Sequence, residues 1–306
     1  MTEKIAYVVP TMDRPDDLRC LFKSITNQTV QPDQIIIVDG SNPPIKTVCD
    51  EFKNLDITYV REYPPSLAKQ RNAGMAALHP NITIAGYLDD DLELDPLATE
   101  EMHKFWSAAD KNVGGASMSI IGQKEPYRQG LLRFFMMHGD PPGQILKSGF
   151  PCYIPFVDKN IETKWLYGGA TLWRREVINQ FAYDEWYAGH GFGEDYDYSY
   201  RVSKKYRLFV VGTSQTWHHE HPMSESKMYV LGRQQIYNRL YFIRKVGDFS
   251  RIYVSWALFG QFMINFMALL RRPKKATWDR LRGNFRGLFE ASFGKQDSFF
   301  GYWKDE

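Results

Sequence analysis

In its first third the chain repeats one pattern: a short apolar run, a turn, then apolar residues at helical spacing. The runs are Ile5–Val9, Gln34–Val38, Ile57–Val60 and Ile82–Leu88. Between them the spacing predicts helices over Pro15–Thr26, around Ile45–Phe52 and over Ser66–Leu78; in the first, Leu18, Leu21, Phe22 and Ile25 share one face. Apolar runs without alternation are strands buried on both faces, and strands joined through helices run parallel. This pattern predicts an α/β fold, Rossmann-like, with a mostly parallel central sheet and helices on both faces. In such sheets ligands sit beyond the carboxyl ends of the strands. Thr11, Asp39 and Asp89-Asp90-Asp91 occupy those ends and are expected to converge.

The three consecutive carboxylates that end the fourth run oppose folding, because they repel one another and resist desolvation. A divalent cation would remove that cost, since Mg²⁺ takes carboxylate and phosphate oxygens. The other reading is a solvated turn that caps a helix near Pro96. Composition narrows the remaining classes. A net charge of +2 over 306 residues gives no general attraction to nucleic acid. Aromatic residues reach 15%, many in polar company, as on surfaces that face carbohydrate or an interface. Cys20, Cys49 and Cys152 lack metal or redox spacing, which fits reduced thiols in the cytoplasm. Met1-Thr2-Glu3-Lys4 leads straight into the first strand, and no signal peptide is expected. No G-x-G-x-x-G follows that strand and no P-loop motif occurs, so dinucleotide and P-loop readings lack support.

From Gly122 to Lys164 the pattern is broken by Pro126, Gly130, Gly139–Gly143 and Pro151, which predicts long loops or a lid. Regularity returns at Trp165–Trp173, followed by a helix over Arg174–Phe181. A loop, Tyr187–Gly193, opens a helix at Glu194-Asp195-Tyr196-Asp197, and a strand at Leu208–Val211 leads to Trp217-His218-His219-Glu220-His221. Carboxylates in a first helical turn are favoured by the dipole, so Glu194 and Asp195 also read as simple caps.

The order of these motifs resembles the family 2 glycosyltransferases with the GT-A fold. Val8-Val9-Pro10-Thr11 with Arg14, Val38-Asp39-Gly40-Ser41, Arg71-Asn72-Ala73-Gly74 before Leu88-Asp89-Asp90-Asp91, and Gly193-Glu194-Asp195-Tyr196-Asp197 carry it, over roughly residues 5–245. Trp217-His218 and Tyr237-Asn238-Arg239 are similar to the galactofuranosyl- and rhamnosyltransferase branches, although the usual order there is Arg-Asn. The resemblance implies a GT-A domain over residues 1–245, with a nucleotide-sugar half (1–121) and an acceptor half (122–245), and a C-terminal helical region over 246–306.

It also implies roles. Pro10, Thr11, Arg14, Asp39, Arg71, Asp89, Asp90 and Gly169 would meet the nucleotide sugar. Asp89 and Asp91, as a D-x-D pair, would hold Mn²⁺ or Mg²⁺ with a histidine; His218 is favoured over His219 and His221. Asp195 would be the general base and Glu194 its neighbour at the acceptor. Arg14, Lys69 and Arg71 would contact the diphosphate or brace the carboxylates, with a solvated surface as the other reading of Lys69; Trp165, Trp186 and Tyr187 read equally as sugar-stacking or core. The implied reaction is inverting, metal-dependent transfer from a UDP- or dTDP-sugar to a hydroxyl of a glycan or lipid-linked glycan. A sugar nucleotidyltransferase and a non-catalytic sugar- or lipid-binding module are the alternatives. The implied location is the cytoplasm, with the inner face of the cell membrane open.

In the tail, Ile252–Leu270 is apolar except for Ser255, Gln261 and Asn265, and Arg271-Arg272-Pro273-Lys274-Lys275 follows. The run approaches the ~20 residues of a bilayer span, but its polar residues and basic flank fit an interfacial or packed helix better. Leu281, Phe285, Leu288, Phe289 and Phe293 then recur at helical spacing among Arg280, Arg282 and Arg286. Peripheral membrane contact through residues 250–293 is expected, with packing or oligomerisation as the alternative.

Overall fold

The computed structural model describes residues 3–123, 126, 129–187, 189, 191–219, 221 and 224–294. Of the residues named above, Met1, Thr2, Ala188, His190 and Glu220 lie outside the described residues, as does the part of the C-terminal region after Gly294. The described residues fall into two compact units. One draws on Met1–Lys124 and Pro155–Glu220, the other on Glu125–Ile154 and His221–Ser298.

The first unit is built on one sheet. Its strands are β1 (Ile5–Thr11), β2 (Gln34–Asp39), β3 (Ile57–Arg61), β4 (Ile84–Leu88), β5 (Leu92–Leu94), β6 (Val113–Ile121), β7 (Ile161–Thr163), β8 (Ala170–Arg174) and β9 (Arg207–His218). The spatial order is β3-β2-β1-β4-β8-β6-β9-β5, with β7 also paired to β9. As expected, β1 to β4 are mutually parallel where they pair, and Thr11 lies in register with Asp39. Beyond β4 the direction changes: β8 runs antiparallel to both β4 and β6, while β6 is parallel to β9. The whole sheet is therefore mixed.

Helices α1 (Pro15–Thr26), α2 (Lys46–Asp50) and α4 (Ala98–Ala108) cover one face, and α3 (Leu67–Ala76) packs on the other. Alternation along β1 explains the two layers. Ile5, Tyr7 and Val9 join Leu18, Phe22 and Trp106 in the main core. Val8 points the opposite way, so close to α3 that a Cβ on Gly74 would lie 2.2 Å from it.

Strand β6 is where sequence patterning fell short. Its Gly114-Gly115-Ala116-Ser117 core does not read as a strand, yet bulk there is excluded. A Cβ on Gly115 would meet the Trp173 ring at 2.3 Å, and one on Gly86 would meet Thr171 O at 1.7 Å. Helices α6 (Arg175–Gln180) and α7 (Glu194–Ser203) complete this unit.

The second unit is helical: α5 (Gln129–Phe134), α8 (Met228–Val246), α9 (Arg251–Arg271) and α10 (Lys275–Phe293). Backbone meets backbone between α8 and α10. Cβ atoms on Gly232, Gly283 and Gly287 would stand 2.1, 2.2 and 2.5 Å from carbonyl oxygens of Arg280, Tyr229 and Arg233. The broken pattern before Lys164 corresponds to short α5, a bridge between Ile145 and Pro151, and β7. The three cysteines are free thiols, Cys20 exposed and the others buried.

Candidate active site

The carboxyl ends of β1, β2 and β4 are tied together before any functional group is placed. Gln70 Nε2, on α3, donates to Thr11 O at 3.0 Å and to Val38 O at 2.8 Å. Thr11 Oγ1 donates to Asp90 Oδ2 at 2.7 Å. Pro10 is buried beside them, in register with Val38. Asp39 is wholly buried; it accepts from Ser41 N (2.7 Å), Ile45 N (2.9 Å) and Tyr59 OH (2.5 Å). Burial pushes its carboxyl up, but the donors from Ser41, Tyr59 and Ile45 outweigh burial and hold it below the usual range. Arg61 stays 3.5 Å from the same carboxylate and donates to Asp39 O and Ser41 O. Asp39 thus shapes the 40–45 loop from inside.

The three acidic residues after β4 diverge. Asp90 turns inward to Thr11 and to Arg14 Nη1 at 3.0 Å, and burial drives its carboxyl up to about 6. Asp91 is buried between Arg14 Nη1 (3.1 Å) and His218 Nε2 (3.0 Å). Burial works against its ionisation, but the His218 hydrogen bond and charge, with Arg14, hold it low. Asp89 keeps a third of its side chain exposed. Its backbone N donates to Gly169 O at 2.8 Å, and desolvation raises its carboxyl. Gly169 has to be glycine: a Cβ there would lie 2.1 Å from Asp89 Oδ2.

Strand β9 delivers the histidine. His218 is in register with Leu92 of β5, directly after the acidic turn. Ligand atoms of Asp89, Asp91 and His218 all lie within 4.8 Å of one another. His219, just past the end of β9, points elsewhere: its Nε2 pairs with Glu93 Oε2 at 2.8 Å. Two carboxylates and one imidazole form a set suited to a Mn²⁺-type ion, with Mg²⁺ less matched to the nitrogen.

A second acidic pair opens α7. The chain enters through left-handed glycines, Gly191 (φ +72°) and Gly193 (φ +96°). A Cβ on Gly191 would lie 2.4 Å from Glu194 Oε2, so the turn folds tightly over that carboxylate. Glu194 is buried; Oε2 accepts from Phe192 N (2.7 Å) and Oε1 from Arg71 Nη1 (2.9 Å). Desolvation, then the charge of Asp195, lifts Glu194 to about 7 against the pull of Arg71. Asp195 is only half-buried and accepts from the backbone of Tyr196 (2.7 Å) and Gly168; burial raises it as well.

Arg71, expected at the donor, is 2% exposed and stands between the two acidic groups. Its guanidinium is 2.9 Å from Glu194 and 3.8 Å from Asp89 and lies against the rings of Tyr87 (5.4 Å) and Tyr183 (5.0 Å), which meet each other edge-on at 5.2 Å. A Cβ on Gly168 would be 2.6 Å from it. No motif marked Tyr87 or Tyr183. The nearest signal was Asn72, whose side chain holds Tyr183 N and O at 3.0 Å each. Trp165 and Tyr187 are buried framework, while Trp186 is half-buried. Tyr237-Asn238-Arg239 lies on α8 in the helical unit, where Arg239 stacks on Phe150 at 3.9 Å and donates to Gly149 O.

Comparison with known proteins bears on the family and the fold. The sequence profile described as Glycosyl transferase family 2 matches residues 7–181. Glycosyltransferase GlyA of Streptococcus pneumoniae is 31% identical over 100 residues, which cover 32% of this chain and 14% of that protein. The minor teichoic acid biosynthesis protein GgaA of Bacillus subtilis is 25% identical over 130 residues, 39% of this chain and 29% of its own. The chain thus matches less than a third of each of these relatives' lengths. Among solved structures, the mannosyltransferase PcManGT of Pyrobaculum calidifontis, in complex with GDP-Man and Mn²⁺, superposes with a TM-score of 0.58 at 12% identity, over 96% of this chain and 88% of that one. Residues 1–349 of S. aureus TarS give 0.57 at 12% identity, over 94% and 80%. These structures share the GT-A fold with the chain. With more than half of its length under the family profile, the chain belongs to glycosyl transferase family 2.

Proposed function

We propose that the protein transfers a sugar from a nucleotide diphosphate, of the UDP or dTDP class, to a hydroxyl of a glycan or lipid-linked glycan, with inversion at the anomeric carbon. The observation that carries this reading is the meeting of Asp89, Asp91 and His218 at strand ends, with Arg71 linking Asp89 to Glu194 beside Asp195. Asp89, Asp91 and His218 would hold a divalent cation; bound there, it would supply positive charge against the departing diphosphate.

The remaining work belongs to side chains. Asp195 is the more exposed of its pair and accepts the proton of the attacking hydroxyl. Glu194, clamped by Arg71 and Phe192 N, fixes the turn that carries Asp195. Arg14 neutralises Asp90 and Asp91 and keeps the acidic turn closed. Thr11, Pro10 and the 40–45 loop around Asp39 form the donor wall, in a nucleotide-sugar half over residues 1–121. A nucleotidyltransferase leaves Glu194-Asp195 without a task, and a binding module leaves a base with a raised pKa unused. The teichoic acid role named for one relative favours a cell-envelope acceptor, met on the cytoplasmic side.

Ligand-induced stabilisation tests the donor and the ion together. A UDP- or dTDP-sugar at about 100 times its Kd should stabilise the fold by about 2.7 kcal/mol, read as a rise in Tm with Mn²⁺ present. The rise should vanish in EDTA. A donor shift of equal size in EDTA would remove the metal assignment, and no shift with any nucleotide sugar would remove the donor class.

A further inference from the structure

The helical unit is polarised the wrong way round for a water-soluble surface. A surface helix normally buries its apolar stripe and shows its polar one. On α9, Gly260, Gln261 and Asn265 face inward, while Ile252 (80% exposed), Phe259, Phe266 and Leu270 (66%) face out. On α10, Gly283, Asn284 and Gly287 face inward, and Phe285, Phe289 and Phe293 face out. The inward side is held by amide hydrogen bonds, Asn265 to Asn284 and Asn284 to Gly232 O, and by glycine contacts with α8. Small residues and amides between helices, with large apolar side chains outside, are how helices pack in lipid.

Charge selects the occupant. Between Arg251 and Gly294 there are eight basic residues and two acidic ones. Asp279 is buried, and Glu290 is half-buried between Arg233 and Arg286. Arg251, Arg271, Arg272, Lys274 and Lys275 are exposed at the ends of α9 and the start of α10. An apolar face rimmed by cations, with no exposed carboxylate within α9 or α10 (Asp248, before α9, is exposed), complements an anionic lipid surface. A second copy on the same face would set like charges together.

We infer that the α9–α10 face seats in the interfacial region of an anionic lipid leaflet, with the phenylalanine rings in the acyl boundary and the basic residues at phosphate level. Helix α9 is long enough to span, at 21 residues, but Gln261 and Asn265 are committed to the protein side. Its partner α10 presents Arg282 and Arg286 outward, which the hydrocarbon centre disfavours and the headgroup layer accepts.

The test is flotation of the full chain with vesicles of phosphatidylcholine alone or mixed with phosphatidylglycerol. The protein should float with the mixed vesicles, weakly with phosphatidylcholine, and be released by alkaline carbonate. Phe285→Ser with Phe289→Ser should lower the partition coefficient at least tenfold on both vesicle types. Arg272→Glu with Lys275→Glu should lower it at least tenfold on the anionic vesicles only. The nucleotide-sugar Tm shift should persist in both double variants, so failure here is distinct from failure of the transfer reading. Flotation unchanged in the charge variant overturns the inference even if the phenylalanine variant does not fold. So do retention through carbonate, which means a spanning α9, and a dimer in solution that Phe285→Ser and Phe289→Ser dissociate without vesicles.

Discussion

Asp195→Asn is expected to lower kcat by about 10²- to 10⁴-fold, the usual contribution of a positioned general base. The substitution keeps shape and removes only the ability to take a proton. Asp195 accepts backbone donors from Tyr196 and Gly168, and the Asn carbonyl can accept them as well. The donor Tm shift should survive, because the base faces the acceptor. Activity should also carry a pH signature. Burial raises both Asp195 and Glu194, the latter to about 7. The working base is the ionised form, so rate is lost as pH falls, and the acidic limb of kcat/KM should lie above the ordinary carboxylate range. Near-normal turnover in Asp195→Asn, or a limb near pH 4, would sink the assignment.

What was legible in the sequence follows from how local each signal is. Strands β1 to β4 announce themselves because burial on both faces needs unbroken Ile and Val. Strand β6 does not, because what it packs against, Trp173, leaves room only for glycine at position 115. That fact belongs to the tertiary neighbour rather than to β6. The acidic turn was readable as a cluster, but the division of labour within it was not. Asp90 turns inward because Thr11 and Arg14 meet it there, far away in sequence. The resemblance favours His218 by its place after Trp217; that its ring meets Asp91 while the ring of His219 meets Glu93 depends on how the end of β9 joins β5 and the acidic turn, which no local pattern carries. For Arg71 the sequence leaves two tasks open, contact near the diphosphate and bracing of the carboxylates; its pairing with Glu194 and Asp89 fits the second, while Tyr87, Tyr183 and Gly168, which enclose it, are distant in the chain.

That enclosure makes Arg71→Met the most destabilising substitution expected in the site. Methionine fills much of the volume and leaves the packing of Tyr87 and Tyr183 broadly intact, so the loss is chiefly electrostatic. Glu194 would be left buried without its counter-charge, and breaking a buried ion pair on one side costs about 3–5 kcal/mol. The sign of the pH dependence follows from linkage. Without Arg71 the folded-state pKa of Glu194 rises further, so between the unfolded value and that raised value the folded protein binds the extra proton. Stability of the variant should therefore fall as pH rises through this window, and its deficit should be smaller at pH 5 than at pH 8. Adding Glu194→Gln removes the stranded charge and should recover much of the loss, giving a large coupling in the double-mutant cycle. Denaturant melts of the two single variants and the double variant measure it. If Arg71→Met unfolds within about 1 kcal/mol of the parent, the range for an exposed ion pair, then Arg71 is not the bridge between the Asp89 turn and Glu194. If the deficit is large but Glu194→Gln does not relieve it, the cost lies in the packing against Tyr87 and Tyr183, and the two acidic groups are positioned independently.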